Sequence, residues 1–266
     1  MLDFGFYNED CLPRMKEYPD NFFDLAVVDP PYGDAGGGTD CRPSSQFTTE
    51  DGAGTPQKSR GGGGTGSVNA STGTRTRHYT FGLRKKDKNY ENRRHLGREI
   101  CKKIIAWDVA PGQEYFDELF RISRNQIIWG GNYFSLPPTR CFLIWRKLSI
   151  SESFSMAMCE YAWTSFNSNA KMFEYTPQGR PGDNRFHPTQ KPVALYEWLL
   201  NRYAKPGDTI LDTHVGSASS LIACRNTNHK YVGFEIDETY YALAKDRLDR
   251  ESAQMNIFDF IERTTT

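Results

Sequence analysis

Short apolar runs alternate along the chain with segments whose apolar residues recur at helical spacing. The run at 22–28 (FFDLAVV) becomes continuously apolar toward its end, which is typical of a strand in a parallel sheet covered on both faces. Similar runs predict four further strands, at 126–129 (QIIW), 142–145 (FLIW), 209–212 (TILD) and 230–236 (KYVGFEI).

The segments between these runs carry the pattern of amphipathic helices. Pro192 fits the first turn of one helix, and Asp237 is placed to cap another. Apolar residues three or four apart define the predicted buried faces: Phe116, Leu119 and Phe120; Tyr196, Leu199, Leu200 and Tyr203; Tyr241, Ala244 and Leu248. Strands that alternate with helices predict an α/β fold with a mostly parallel sheet.

One segment, 33–103, interrupts this alternation. Residues 33–80 are rich in Gly, Ser and Thr, and such a composition cannot bury enough apolar surface to offset its ordering entropy, so a mobile loop is expected. The following stretch, 75–103, carries eleven Lys and Arg against three acidic residues, with aromatic residues between them. It fits either a solvated helix face or a surface that follows a nucleic-acid backbone.

Composition narrows the class of protein. The chain has 266 residues, 38% of them hydrophobic and 25% charged, with a formal net charge of zero. Attraction to nucleic acid or to a membrane would therefore need a local patch. The cysteines form no C-x-x-C pair, and neither a signal peptide nor a run long enough to span a bilayer is seen. We expect a cytoplasmic protein with no metal site.

The end of the first predicted strand has an unusual sequence, DPPY at 29–32. Two prolines cannot continue a helix or donate to a sheet, so they hold the backbone rigidly outward. A plain turn after a strand would account for Pro30 and Pro31. It would not account for an acid, Asp29, before them and an aromatic residue, Tyr32, after them.

The stretch at 210–224 (ILDTHVGSASSLIAC) predicts a strand that ends on Asp212, a tight turn and a helix. This geometry brings a nucleotide-like ligand against backbone N–H groups, although a simple strand-to-helix turn would have the same pattern. Glu235 lies at the end of the next predicted strand, about twenty residues past the turn, where dinucleotide-type folds place an acid that accepts from ribose hydroxyls. A third stretch, HPTQKP at 187–192, is a stiff entry to a helix that presents backbone amides and polar side chains.

These stretches together resemble the S-adenosylmethionine-dependent DNA amino-methyltransferases, specifically their circularly permuted β group. The motifs that carry the resemblance are DPPYG (29–33), HPTQKP (187–192), LDTHVGSAS (211–219) and FEID (234–237), with the catalytic motif first and the cofactor motif last. Residues 115–134 and 160–166 also look like this family's middle section. The resemblance implies a Rossmann-like methyltransferase fold: a twisted, mostly parallel sheet with helices on both faces, circularly permuted.

The resemblance also implies a domain organisation. Residues 1–32 and 104–250 would form the catalytic domain, and 251–266 a C-terminal tail. The segment 33–103 lies outside the resemblance. Its basic charge and its position between the tetrad and the rest of the domain predict a region that contacts DNA. The phosphate contacts are predicted at Arg75, Arg77, Lys85, Lys86, Arg93 and Arg94.

Roles for single residues follow from the same resemblance. Asp29, Pro30, Pro31 and Tyr32 would be the catalytic tetrad, which accepts the N–H groups of a target amine and stacks an extruded base. His214 stands where the family has an aromatic residue, and Ala218 where it has a second glycine. The residues implied to bind S-adenosylmethionine are Asp10, His187, Thr189, Gln190, Lys191, Asp212, His214, Gly216, Ser217, Ala218 and Glu235.

The implied activity is site-specific methylation of double-stranded DNA, in a restriction–modification setting. Adenine N6 is the favoured acceptor, because an acid at the first tetrad position is commoner in the adenine enzymes of this family. N4-cytosine methylation is the first alternative. Methylation of RNA or of a protein amide uses related tetrads, but the permuted motif order argues against both. A module that binds cofactor and DNA without turnover is the alternative from another class of protein.

Overall fold

The computed structural model describes residues 3–33, 108–152, 157–179 and 185–264. Apart from Asp108, these residues belong to one compact unit, Met1–Gly36 and Val109–Thr266. The predicted loop and basic segment, and the six predicted phosphate contacts within it, lie outside the described residues.

The described residues contain eight strands in a single sheet. The strands are β1 (Gly5–Tyr7), β2 (Phe23–Val28), β3 (Ser123–Trp129), β4 (Phe142–Lys147), β5 (Cys159–Thr164), β6 (Lys171–Tyr175), β7 (Thr209–Asp212) and β8 (Lys230–Phe234). The helices are α1 (Cys11–Met15), α2 (Gln113–Ile122), α3 (Val193–Tyr203), α4 (Ser219–Asn226) and α5 (Glu238–Thr264), with a short 3-10 helix at Gly131–Tyr133.

The strands lie in the order β1-β8-β7-β2-β3-β5-β4-β6. The first five strands in this order are mutually parallel. Of the eight strands described, only β5 runs antiparallel to its neighbours, β3 and β4, and β6 pairs parallel with β4. The predicted mostly parallel α/β fold is therefore confirmed.

Alternate residues of β2 enter two separate cores. Leu25 and Val27 pack in one core with the buried faces of α3 and α4. Ala26 and Val28 face the other core, which contains Met15 of α1 and Leu119 of α2. The continuously apolar end of β2 therefore reflects helices on both faces of the sheet, as expected for a buried parallel strand.

Several predicted boundaries need correction. Pro192 precedes α3 as its N-cap residue, with φ −70° and ψ 145°, because that extended ψ cannot belong to a helical turn. β8 ends at Phe234; Glu235 lies just beyond it, where its side chain accepts backbone hydrogen bonds from Gly216 and Asp237. Asp237 caps α5 as predicted, accepting from Tyr240 N at 2.9 Å. This helix runs on to Thr264, through most of the predicted tail.

Candidate active site

Three acidic residues lie along the carboxyl edge of the parallel strands. Asp29 follows β2, Asp212 ends β7 and Glu235 follows β8, and these strands are consecutive in the sheet. Parallel strands direct their carboxyl ends to the same edge, which is where open α/β sheets bind ligands. The sheet order therefore brings together motifs that are up to about 200 residues apart along the chain.

The Asp29 carboxylate accepts hydrogen bonds on both oxygens. Tyr32 OH donates to Oδ1 at 2.8 Å, and Lys191 Nζ donates to Oδ2. Burial and the adjacent Asp29 charge raise the pKa of Tyr32 well above its usual value, so its hydroxyl remains a donor. Asp29 is thus held in place by residues of two different motifs.

The Tyr32 ring lies in a cluster of aromatic side chains. It stacks on Tyr133 with centroids 4.8 Å apart and planes 20° apart, and it meets Phe134 edge-on at 6.1 Å. Gly130, with φ +65°, lies so close that a Cβ atom there would stand 2.1 Å from Tyr32 Cε1. The sequence shows WGGNYF at 129–134 within the family's middle section, but it gave no sign that Tyr133 contacts the tetrad.

Lys191 reaches the tetrad rather than only the neighbourhood of the cofactor turn. Besides Asp29, its ammonium lies 3.1 Å from Glu160 Oε2 and 5.4 Å from the centre of the Trp129 ring. Glu160 in turn pairs with Lys147, with Nζ 2.6 Å from Oε1. Neither Glu160 nor Lys147 was predicted from the sequence, because their partners are defined by the order of β3, β5 and β4.

The turn after β7 is built around Asp212. His214 N donates to its Oδ1 at 3.0 Å, and the Ser220 hydroxyl donates to Oδ2. Burial raises the pKa of Asp212 to about 7, although both hydrogen bonds oppose the shift. Burial therefore moves the titration of this carboxyl group toward neutral pH.

The rest of this turn adopts left-handed backbone at two positions. Gly216 has φ +57° and Ala218 has φ +62°, and a left-handed conformation is unfavourable for any residue with a Cβ. Ser217 O accepts from the buried Arg247 guanidinium at 2.8 Å. His214 packs edge-on against the Tyr115 ring, and burial lowers its pKa to about 4, so it is neutral at physiological pH.

Glu235 supports the same turn from β8. Its Oε2 accepts from Gly216 N at 2.8 Å and its Oε1 from Asp237 N at 2.9 Å. Burial is the main reason that its pKa is raised, despite these backbone hydrogen bonds. Each carboxylate oxygen can accept a second bond, so the group can still receive ribose hydroxyls.

Three members of the HPTQKP motif lie near the turn or stabilise their own loop. His187 is buried, meets Tyr240 edge-on at 4.4 Å, and lies where a Cβ on Gly216 would be 3.2 Å from its Cε1. Thr189 Oγ1 lies 3.2 Å from His187 Nδ1, and Gln190 Oε1 accepts from Phe186 N at 3.3 Å.

Asp10, after β1, caps α1 by accepting from Leu12 N at 3.0 Å.

In the described ranges, no group of three or more His, Cys, Asp or Glu side chains comes together as a metal site. Within the same ranges no helix has the length and apolar character needed to cross a membrane.

The fold and this edge of the sheet define a Rossmann-like methyltransferase domain. Residues 67–246 match the model of a protein family described as "DNA methylase", which covers the N6 and N4 amino-methyltransferases. The chain belongs to this family of S-adenosylmethionine-dependent DNA amino-methyltransferases. The matched range begins after the DPPY motif. The assignment of the tetrad therefore depends on its own sequence and geometry and not on this match.

Several curated relatives match a short part of this chain, and one matches nearly all of it. The Type II methyltransferase M.HpaI of Haemophilus parainfluenzae is 42% identical over 76 residues, which cover 29% of this chain and 23% of that protein. Several other short matches likewise span only about a quarter of the relative's length. The Type II methyltransferase M.BglII of Bacillus subtilis is 24% identical over 268 residues, covering 95% of this chain and 71% of the relative.

A solved structure supports the fold alone. The PvuII DNA methyltransferase, described as cytosine-N4-specific, superposes with a TM-score of 0.50 at 12% identity, covering 95% of this chain and 91% of that one.

Proposed function

We propose that the protein transfers the methyl group of S-adenosylmethionine to the exocyclic amine of a base extruded from double-stranded DNA, with adenine N6 as the acceptor. One observation carries this proposal: the tetrad and the cofactor turn follow neighbouring strands, β2 and β7. A donor bound over the turn after Asp212 therefore presents its methyl group beside the Asp29 carboxylate.

The chemistry of the acceptor explains the residues of the tetrad. The lone pair of an exocyclic amine is delocalised into its ring, so the amine is a poor nucleophile. Asp29 accepts one N–H and the Pro30 carbonyl the other, which draws electron density toward the nitrogen as positive charge develops there. The S–CH3 bond breaks as the N–CH3 bond forms, the sulfonium becomes a thioether, and the proton that the nitrogen loses passes to solvent water.

The aromatic cluster suits an extruded base. A base inside a duplex cannot reach this edge of the sheet, so it must leave the stack, and an aromatic ring compensates for the lost stacking. Tyr32 provides that ring, and Tyr133 now stacks on it with 40% of its surface exposed. We infer that the Tyr133 ring moves aside or packs against the base when DNA binds.

The residues implied to bind the cofactor receive roles in this proposal, and those of HPTQKP line the methionine end: His187, Thr189, Gln190 and Lys191. Glu235 accepts from the ribose hydroxyls, Asp212 and the turn at 214–218 face the methionine end and the sugar, and Asp10 lies toward the adenine. The basic residues of 75–103, among them Lys85 and Arg94, supply phosphate contacts. This part of the proposal rests on charge and position in the sequence. A restriction–modification role and a cytoplasmic location belong to the same proposal.

N4-cytosine methylation is the second candidate, since the family covers both amines and the PvuII enzyme is named for the cytosine reaction. The acid at the first tetrad position favours adenine. The test is to incubate unmethylated DNA of mixed sequence with the protein and S-adenosylmethionine, then map modified bases at single-nucleotide resolution. We expect N6-methyladenine at one recurring sequence, and none with Asp29→Asn.

Each other outcome of this test has a definite meaning. N4-methylcytosine would replace the adenine assignment. Cofactor binding by calorimetry without any modified base would identify a binding module that lacks turnover. Absence of S-adenosylmethionine binding would overturn the proposed function.

A further inference from the structure

Four side chains of alternating charge form a continuous chain that ends on the tetrad. Lys147 pairs with Glu160, Glu160 pairs with Lys191, and Lys191 contacts Asp29. The residues come from the end of β4, the start of β5, the loop before α3 and the end of β2. We call this set the charge chain.

The charge chain is largely removed from water. The exposed fraction of the side chain is 2% for Lys191, 8% for Lys147, 12% for Asp29 and 25% for Glu160. Buried charges are unfavourable unless they are paired, and here two cations balance two anions. Each ammonium also lies about 5 Å from the centre of an indole ring, Lys191 from Trp129 and Lys147 from Trp145.

Both central groups remain ionised. Burial alone would raise the pKa of Glu160, but the Lys191 and Lys147 charges outweigh it and the pKa is lowered. Burial would likewise lower the pKa of Lys191, but Asp29 and Glu160 outweigh it and the pKa is raised. The ammonium of Lys191 is therefore a full charge shared between two carboxylates.

We propose that Glu160 is a positioning residue for methyl transfer: it holds part of the Lys191 ammonium away from Asp29, so that the Asp29 carboxylate keeps its orientation and enough negative charge to accept the target amine. This inference rests on the proposed function. If Glu160 loses its charge, Lys191 pairs with Asp29 alone. That pairing competes directly with the amine N–H in the transition state.

Lys147 allows this role to be separated from simple stability. Glu160→Gln leaves two buried ammonium groups with one carboxylate, so the variant should be destabilised by its charge imbalance. The double variant Lys147→Met/Glu160→Gln is again neutral, with Lys191 and Asp29 as its only charges. It should regain stability, yet it still lacks the second carboxylate for Lys191.

The experiment measures three quantities for wild type, Glu160→Gln, Lys147→Met and the double variant. They are the denaturant midpoint, the S-adenosylmethionine Kd by calorimetry, and kcat with KM on unmethylated mixed-sequence DNA. For Glu160→Gln we expect kcat to fall at least tenfold while the cofactor Kd changes less than about threefold, because misplacing a reacting group by about 1 Å costs on the order of 10²-fold. In the double variant, the midpoint should recover and kcat should stay low.

Glu174→Gln is the matched control, since Glu174 forms an exposed ion pair with Arg146 on neighbouring strands of the same sheet. It should leave all three quantities unchanged. If Glu160→Gln does not fold, the comparison of Lys147→Met with the double variant still isolates the loss of Glu160, because both variants lack Lys147. Lys147→Met keeps two carboxylates for Lys191, and the neutral double variant keeps only Asp29.

Three results would overturn the role of Glu160. They are a kcat within twofold of wild type, a kcat that recovers together with the midpoint, and a cofactor Kd that weakens in parallel with kcat. Wild-type protein that transfers no methyl group to DNA would instead refute the proposed function itself, and the role of Glu160 with it.

Discussion

Lys191 Nζ contacts Asp29 Oδ2 although the two residues lie 162 positions apart in the sequence. The contact joins the last basic residue of HPTQKP to the first residue of DPPY. It gives the HPTQKP segment a role in holding the Asp29 carboxylate, in addition to its position beside the turn at Gly216 through His187. The same contact determines how Asp29 variants should be designed.

Asp29→Asn is expected to reduce methyl transfer by on the order of 10²–10³-fold, because it removes a charge that acts mainly in the transition state. Asparagine retains one oxygen and nearly the same shape as aspartate. The buried Lys191 also keeps Glu160 as its charged partner. The S-adenosylmethionine Kd should change little, since the turn after β7 is untouched. Calorimetry and single-turnover transfer with radiolabelled cofactor measure the two quantities.

Tyr32→Phe is the control for this change, because it removes only the hydroxyl bond to Asp29 Oδ1 and keeps the stacking ring. Its transfer rate should fall much less than that of Asp29→Asn. Near-normal turnover of Asp29→Asn would exclude the tetrad from the mechanism.

Gly130→Ala should displace the Tyr32 ring and so disrupt the tetrad. The added Cβ would lie 2.1 Å from Tyr32 Cε1, and the position has φ +65°, where a left-handed conformation costs about 1–2 kcal/mol for a residue with a Cβ. We expect transfer to be lost and the free energy of unfolding to fall by at least about 1 kcal/mol. Urea unfolding and the transfer assay test this.

Gly5→Ala is the matched control, since its new Cβ would lie 3.4 Å from the end of the Tyr7 side chain, at an ordinary contact distance. Its stability should stay within about 0.5 kcal/mol of wild type. A Gly130→Ala protein with wild-type activity would mean that the Tyr32 ring need not occupy its present position.

The sequence predicted the parts of the site that follow from local pattern. Apolar runs end at Asp29, Asp212 and just before Glu235, and an acid after a buried strand is visible without knowledge of the partner strands. Pairs that depend on sheet order were not predictable. Glu160 and Lys147 belong together only because β5 lies between β3 and β4, and nothing in the linear pattern specifies that order.

Short edge strands were missed for a related reason. β1 has three residues, and β6 reads KMFEY, in which half-buried and exposed positions alternate and no residue is fully buried. Their β structure comes from pairing with β8 and β4, which tertiary contact provides and local propensity does not. Tyr133 was missed because its ring meets Tyr32 across a turn that depends on the left-handed backbone of Gly130.

Glu235→Gln should weaken S-adenosylmethionine binding by roughly 2–3 kcal/mol, the scale of hydrogen bonds to a charged group. Both carboxylate oxygens already accept backbone N–H groups, so a glutamine amide would direct an NH₂ at one of these donors. The turn at Gly216 should therefore loosen, and the melting temperature should fall as well. Calorimetry and thermal unfolding report the two effects.

Glu238→Gln controls for the loss of a nearby negative charge, because Glu238 is exposed in the first turn of α5. It should leave cofactor affinity unchanged. Wild-type affinity in Glu235→Gln would show that the acid after β8 does not hold the ribose.

Asp212 should make cofactor binding depend on pH. Its pKa is raised to about 7 by burial, so in the free protein the carboxyl group binds a proton as the pH falls below 7. S-adenosylmethionine carries a sulfonium and an ammonium, and these cations favour the ionised carboxylate. Binding below pH 7 must therefore release the proton, and the affinity should fall by roughly tenfold for each pH unit between 7 and 5. At pH 7, calorimetry in buffers of different ionisation enthalpy should detect net proton release.

Asp212→Asn keeps the size of the side chain but cannot titrate, so its weaker affinity should lose most of this pH dependence. Equal slopes in wild type and Asp212→Asn would assign the titration to another group, such as Glu235, whose pKa is also raised by burial.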